Sequence, residues 1–246
     1  MTARPLDTTV VLINQNNLSA IQKNLSGRLI YDLLHFDMES TWRSKELGHG
    51  WQHTAYDLEN GRVLKRSNSW LRAFCVIASM LYPFNQYPLW KIPSYIQRAR
   101  AKTARSFEIL KRKELNPAWF AHPVFLDGLD YEQDRVMPIH QAFDMSTIDE
   151  SKKVIDDVIV FQKLLLQHGL IDKYFNIAKN FGIDANGDIV LIDIGEVTED
   201  EKMILTQRRM QAWEAPYILR HIKEPKLQSY YAEQMRTHFG VSAETV

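Results

Sequence analysis

The chain has 246 residues, 45% of them hydrophobic and 24% charged, a composition that excludes disordered and fibrous proteins and allows one or two hydrophobic cores. Lys plus Arg equals Asp plus Glu at 30 each, so net charge offers no sign of an acidic partner, and no nucleic-acid role is expected. A single cysteine, Cys75, rules out an internal disulfide, and MTARPLDTTVVLINQ has no apolar core long enough for a secretory signal, so a cytoplasmic location is expected.

Residues 1–41 read as an N-terminal extension, with an apolar run from Val10 to Ile13 for a strand and helical spacing at Leu25, Leu29, Leu33 and Leu34. No chemistry attaches to it. From Trp42 the character changes: ELGHGWQHTAYDLENGRVLKRS contains glycines, alternating residues and a turn at Glu59-Asn60-Gly61, which predicts two antiparallel strands. Gly48 and Gly50 let the backbone approach a phosphate, and Lys65, seventeen residues beyond Gly48, can reach the same phosphate as a point charge. Taken alone, the glycine pair is also what a plain hairpin carries.

Ser69 to Ser94 is rich in Trp, Tyr, Phe and Pro and reads as packing surface. Its most apolar part, Phe74 to Phe84, is too short to cross a membrane and contains Pro83, so no transmembrane segment is expected. The next segment, YIQRARAKTARSFEILKRKELNP, predicts an amphipathic helix stopping near Asn116-Pro117, its Arg and Lys on a solvated face. His122 to Leu126 and Tyr131 to Met137 read as strands around Gly128, and His122 and His140 lack the close paired spacing of a zinc site. Asp149 to His168 has the clearest helical pattern, with Ile155, Val158, Ile159 and Leu165 on one face and Gly169 as its stop.

KNFGIDANGDIVLIDIGE, residues 179–196, is the most informative stretch. Phe181 to Ile183 and Ile189 to Ile192 flank a polar turn in which Gly187 is free to take positive φ. The hairpin brings together Asn180 and Asp193, thirteen residues apart, and two oxygen ligands of this kind suit a hard cation on nucleotide phosphates. A surface hairpin with ordinary turn residues is the bland reading. A calcium loop is excluded, because Ile189 and Gly195 stand where it needs Gly and Glu.

Glycine pair, strand lysine, amphipathic helix, paired strands, long helix, Asn180 and Asp193 occur in one order, and Asp193-Ile194-Gly195 is similar to a DFG tripeptide. From Trp42 to Glu196 the chain thus resembles the protein kinase-like superfamily, closer to its atypical and small-molecule members. The resemblance implies an α+β, bilobal fold: an N-lobe with a small antiparallel sheet over 42–140, interrupted by an insertion at about 69–94, and a reduced, mostly helical C-lobe over 141–246. It implies ATP with Mg2+ or Mn2+, held by Asn180 and Asp193, and Gly48, Gly50 and Lys65 on the nucleotide phosphates. Glu108 would be the acidic partner of Lys65, with Glu114 less suited, and Met137 would sit at a hinge against the adenine. The family's catalytic base would stand five residues before Asn180, where this chain has Phe175; Asp172 is the nearest acid and takes the expected role.

The expected function is an ATP- and metal-dependent phosphotransferase, a kinase acting on a protein or on a small hydroxyl compound such as a sugar. Phe175 keeps open a pseudokinase that binds nucleotide or a partner and regulates something else. An interaction module built on Trp70 to Trp90 is the third reading.

Overall fold

A computed structural model describes residues 45–81 and 89–241, and its contacts divide the chain into two units, Met1–Arg43 and Ser44–Val246. The strand expected near Val10 and the helix through Leu34 lie outside the described residues, as do residues 82–88 of the aromatic segment.

Within the second unit, β1 (Lys45–His49), β2 (His53–Asp57), β3 (Arg62–Ser67), β4 (Val124–Phe125) and β5 (Tyr131–Asp134) form an antiparallel sheet in the order β1-β2-β3-β5-β4. The β2–β3 turn is encoded locally: Asp57 accepts from the N–H of Glu59, Asn60 accepts from the N–H of Arg62, and Gly61 takes a φ of 80°. Alternation on β5 turns Tyr131 and Gln133 inward. Phe107 meets Tyr131 edge-on at 5.3 Å and Phe125 at 4.9 Å, which fixes the long helix α2 (Ile92–Arg112) against the sheet. That helix buries Ile92, Ile96, Ala99, Thr103, Phe107 and Leu110, spaced three or four apart.

The aromatic segment is helical over Trp70–Leu81, here α1, whose Ala73 and Ile77 pack on Ile92 and Ile96. Its Trp70 stays exposed, as does Trp90 in the following turn.

The rest of the unit is mostly helical. α3 (Ile139–Met145) precedes α4 (Ile148–Gln167), which starts at a Thr147–Glu150 capping box and ends before Gly169 at φ 66°. Ile155, Val158, Phe161 and Leu165 of α4 join Phe175, Phe181, Trp213, Tyr231 and Phe239 in the main core. Burying each such side chain stabilises the fold by roughly 1.5–3 kcal/mol. Two small antiparallel sheets thread this core: β6 (Met137–Pro138), β8 (Phe181–Ile183) and β9 (Ile189–Leu191) in one, β7 (Ile171–Asp172) and β10 (Val197–Thr198) in the other. A one-turn helix, α5 (Ile177–Asn180), feeds β8, and α6 (Glu201–Arg209), α7 (Pro216–Leu219) and α8 (Pro225–Phe239) follow. The fold is α+β, a small antiparallel sheet with one group of helices and a second, larger helical group, an arrangement compatible with two lobes. Among the described residues no helix is long and apolar enough to cross a membrane.

Candidate functional site

The hairpin of residues 180–193 is held at both ends. At its tip, Asp184 accepts from the N–H groups of Asn186 (2.8 Å) and Asp188 (2.9 Å), and Gly187 takes a φ of 90°. At its base, the Asn180 carbonyl accepts from the N–H of Ile192 at 2.7 Å and of Asp193 at 3.2 Å. The bonds at the base bring Asn180 and Asp193 out on the same end of the hairpin. The Asn180 side chain donates to Asp172 Oδ1 at 2.8 Å, so its own amide oxygen remains available to a cation. Asp193 is half-buried, and its carboxylate has no hydrogen-bond or ion-pair partner among the described residues. An undonated carboxylate beside an amide oxygen is the donor set of a hard cation. Among the described residues no cluster of three His, Cys, Asp or Glu could hold a metal, so a cation here would draw its other oxygens from phosphate and water.

Asp193 and Asn180 line a cleft of about 650 Å³, together with Gly48, Gly50, Lys65 and Glu196. A Cβ at Gly48 would meet nothing within 4 Å, and one at Gly50 only the His53 carbonyl at 3.7 Å, so neither glycine is required by packing. The glycine turn is anchored from behind: buried Asn68 accepts from the Thr54 hydroxyl at 2.7 Å and donates to the Gly50 carbonyl at 2.8 Å. Its tip reaches across the cleft, where the Gln52 amide donates to Glu196 Oε1 at 3.0 Å.

Lys65 donates to the Ile192 carbonyl at 2.6 Å and lies 5.6 Å above the Tyr131 ring. Burial lowers its pKa, and the negative charge of Asp193 works against that shift. Glu196 is pushed up to about 8, first by burial and then by the Asp193 carboxylate, against the counter-pull of Lys173, whose Nζ is 3.9 Å away. Asp172 is pushed up to about 7 by burial, opposed by its bond from Asn180. The buried Oδ1 of Asn176, a residue on the cleft wall, has no hydrogen-bond partner among the described residues. It is a polar group that a ligand or water can satisfy.

Of the residues expected from sequence, Gly48, Gly50, Lys65, Asn180 and Asp193 meet in this cleft. Three do not. Glu108 follows Phe107, which points into the core, and the helical step of about 100° carries it off that face, where it is exposed. Glu114 is exposed as well, and Lys65 has no carboxylate within ion-pair distance among the described residues. Met137 pairs with Ile183 in the three-stranded sheet and is absent from the cleft lining. Asp172 is fully buried and both its oxygens are engaged, one by the Asn180 amide and one by the Asn176 N–H at 3.0 Å, so it positions Asn180 and has no path to an acceptor hydroxyl.

Glu196 and Gln52 are site residues that the sequence reading does not anticipate, whereas Asn176, paired with Asp172, is an alternative to Asn180 in that reading. For Glu196 a signal existed, since it directly follows the Asp-Ile-Gly tripeptide. Gly195 explains the spacing: a Cβ there would come within 3.2 Å of Thr103 Cγ2, and Ser106 donates to the Gly195 carbonyl at 3.1 Å, so close contact with α2 swings Glu196 to the cleft.

No protein-family model matches the chain, and no curated protein matches it. A solved structure, the complex of Rv3197 with erythromycin from Mycobacterium tuberculosis, aligns over 85% of this chain with a TM-score of 0.40 and 13% identity. The chain spans 63% of the length of that protein.

Proposed function

We propose that the protein is an ATP- and divalent-metal-dependent phosphotransferase with a bilobal, kinase-like architecture. The observation that carries this reading is the convergence of Lys65, Asn180 and the undonated Asp193 carboxylate with the glycine turn on one cleft. Asp193 and the Asn180 amide oxygen would hold Mg2+ or Mn2+, which when bound neutralises charge on the phosphate oxygens. Lys65, anchored on the Ile192 carbonyl, places a positive charge beside them, and Gly48 and Gly50 give them backbone access without side-chain bulk.

Glu196 lines the same cleft and, with a pKa near 8, suits a general base in neutral solution. In the transfer step the acceptor oxygen bonds to the γ-phosphorus and the bond from phosphorus to its bridging oxygen breaks. The electron pair of that bond leaves with ADP, and the acceptor proton passes to Glu196. The acceptor is a hydroxyl compound. One observation favours a pseudokinase instead: Phe175 fills the core and Asp172 is sealed, so the family's own base is missing.

The reading is tested by melting the full chain with ATP, with and without Mg2+. A ligand at about a hundred times its Kd adds roughly 2.7 kcal/mol to stability, so a clear metal-dependent rise in Tm is expected. No shift with ATP under either condition would overturn it.

A further inference from the structure

Next to the cleft, sharing Trp51, Gln52, Tyr95, Tyr174 and Glu196 with it, lies a second cavity of about 310 Å³. Trp51, Tyr95 and Tyr174 wall it, and Arg98, Lys102 and Lys173 supply its charge. Trp51 and Tyr95 contact each other with ring centroids 5.3 Å apart, and Lys173 donates to the Tyr174 hydroxyl at 2.8 Å. Three cations face one carboxylate, Glu196, so the cavity is positive even with that carboxylate ionised.

Lys173 is tied to Glu196 and Tyr174, but Arg98 and Lys102 bring the fold no such contact. Arg98 and Lys102 are i, i+4 neighbours on α2, a like-charge pair that destabilises a helix, and Lys102 has Lys173 beside it as well. Neither Arg98 nor Lys102 has an ion-pair partner among the described residues. Lys102 is held below the usual lysine value by burial first and by Lys173 second. A bound anion would remove the repulsion, and the aromatic walls suit the apolar face of a compact polyol.

We infer that this cavity binds the phosphoryl acceptor, a small polyhydroxy compound bearing a carboxylate or phosphate, with its anionic group on Arg98, Lys102 and Lys173 and a hydroxyl directed toward Glu196. The acceptor role rests on the phosphotransferase reading; the anion site does not. Glu196 lines both cavities together with Trp51, Gln52, Tyr95 and Tyr174, so the two are continuous, and it is the carboxylate they share.

The experiment is calorimetric titration of the full chain, with Mg2+ and a non-hydrolysable ATP analogue present, using glucose 6-phosphate, gluconate and neutral glucose as probes. Glucose 6-phosphate or gluconate is expected to bind at least about tenfold more tightly than glucose, and the stronger of the two identifies the anionic group. The Arg98→Glu/Lys102→Glu variant should lose that binding at least about tenfold while keeping its affinity for the nucleotide analogue within about twofold. Both positions are on the solvent side of a helix, and circular dichroism with melting confirms that the variant folds. Equal binding of glucose, unchanged anion binding in the variant, absence of anion binding, or competition between anion and nucleotide would each overturn the inference. Anion binding without any nucleotide binding would leave the anion site standing and remove the phosphotransferase reading.

Discussion

Glu196 carries the largest consequence at the scale of single residues. It receives the Gln52 amide from the glycine turn and faces Lys173 from behind the cleft, and it is the carboxylate of the cleft wall besides Asp193. If it takes the acceptor proton, Glu196→Gln should lower kcat by about 100-fold or more, the usual worth of a general base, while Mg2+-ATP affinity changes little. Steady-state transfer and nucleotide binding measured side by side separate the two effects. The wild-type rate should climb with pH as Glu196 loses its proton, with a midpoint below about 8 because the cation screens Asp193, and that limb should vanish in the glutamine variant. A variant with full kcat would remove Glu196 from the chemistry.

At the scale of elements, the segment from β7 to β8 departs from the spacing that the kinase resemblance implies. Phe175 takes a φ of 54°, packs edge-on against Trp213 at 5.5 Å and Phe239 at 5.8 Å, and gives its carbonyl to the Tyr231 hydroxyl at 2.7 Å. The chain dips into the core at Phe175 and returns through α5, which is why Asn180 touches an aspartate eight residues back. Phe175→Ala should therefore cost roughly 3–5 kcal/mol in urea unfolding, as for other buried phenylalanines. Phe175→Asp, which recreates the kinase spacing, should unfold the protein or weaken it further, because a carboxylate would be buried among apolar groups. A folded, more active Phe175→Asp protein would show that this detour is not needed. The hairpins and α4 were legible beforehand, since period-2 and period-3.6 patterns and their turn residues act locally. Asp172's role was not, because a left-handed aromatic residue leaves no mark in spacing. Glu108 was misplaced by matching order alone: Ile96, Ala99, Thr103, Phe107 and Leu110 already fix the buried face of α2 and put Glu108 off it. Arg98 and Lys102 read as a solvated face and are exposed, but Tyr174 and Lys173, some seventy residues later, border the same cavity, which spacing along α2 does not reveal.

At the scale of the whole molecule, the described residues include two raised carboxylates that act on one another, Asp172 and Glu196, and stability should report them. Asp172 and Glu196 keep protons in the folded state up to about pH 7 and 8, whereas the unfolded chain releases them near pH 4. The folded state therefore binds more protons between those limits, and stability falls as pH rises through the folded values. Below pH 6.5 this trend is opposed by His53 and His221, whose lowered values make the folded state bind fewer protons there. Between pH 6.5 and 8 the histidines no longer oppose the carboxylates, which at about 1.4 kcal/mol per pKa unit should cost roughly 2 kcal/mol in urea unfolding; Lys65, lowered by burial, acts in the opposite sense in wild type and variant alike, so the comparison with Glu196→Gln isolates about half or more of the carboxylate effect. Stability rising across that interval would mean that both groups are ionised in the fold. The same charge cluster is what a cation would relieve, and Asp193 is its centre, acting on Lys65, Asp172 and Glu196 alike. The most direct measurement is calorimetric titration of ATP into wild type and Asp193→Ala, each with Mg2+ and with EDTA. Wild type should bind with Mg2+ and at least about tenfold more weakly in EDTA, while Asp193→Ala, folded and melting near the wild-type temperature, should bind equally weakly in both. Undiminished, metal-dependent binding by Asp193→Ala would contradict the account.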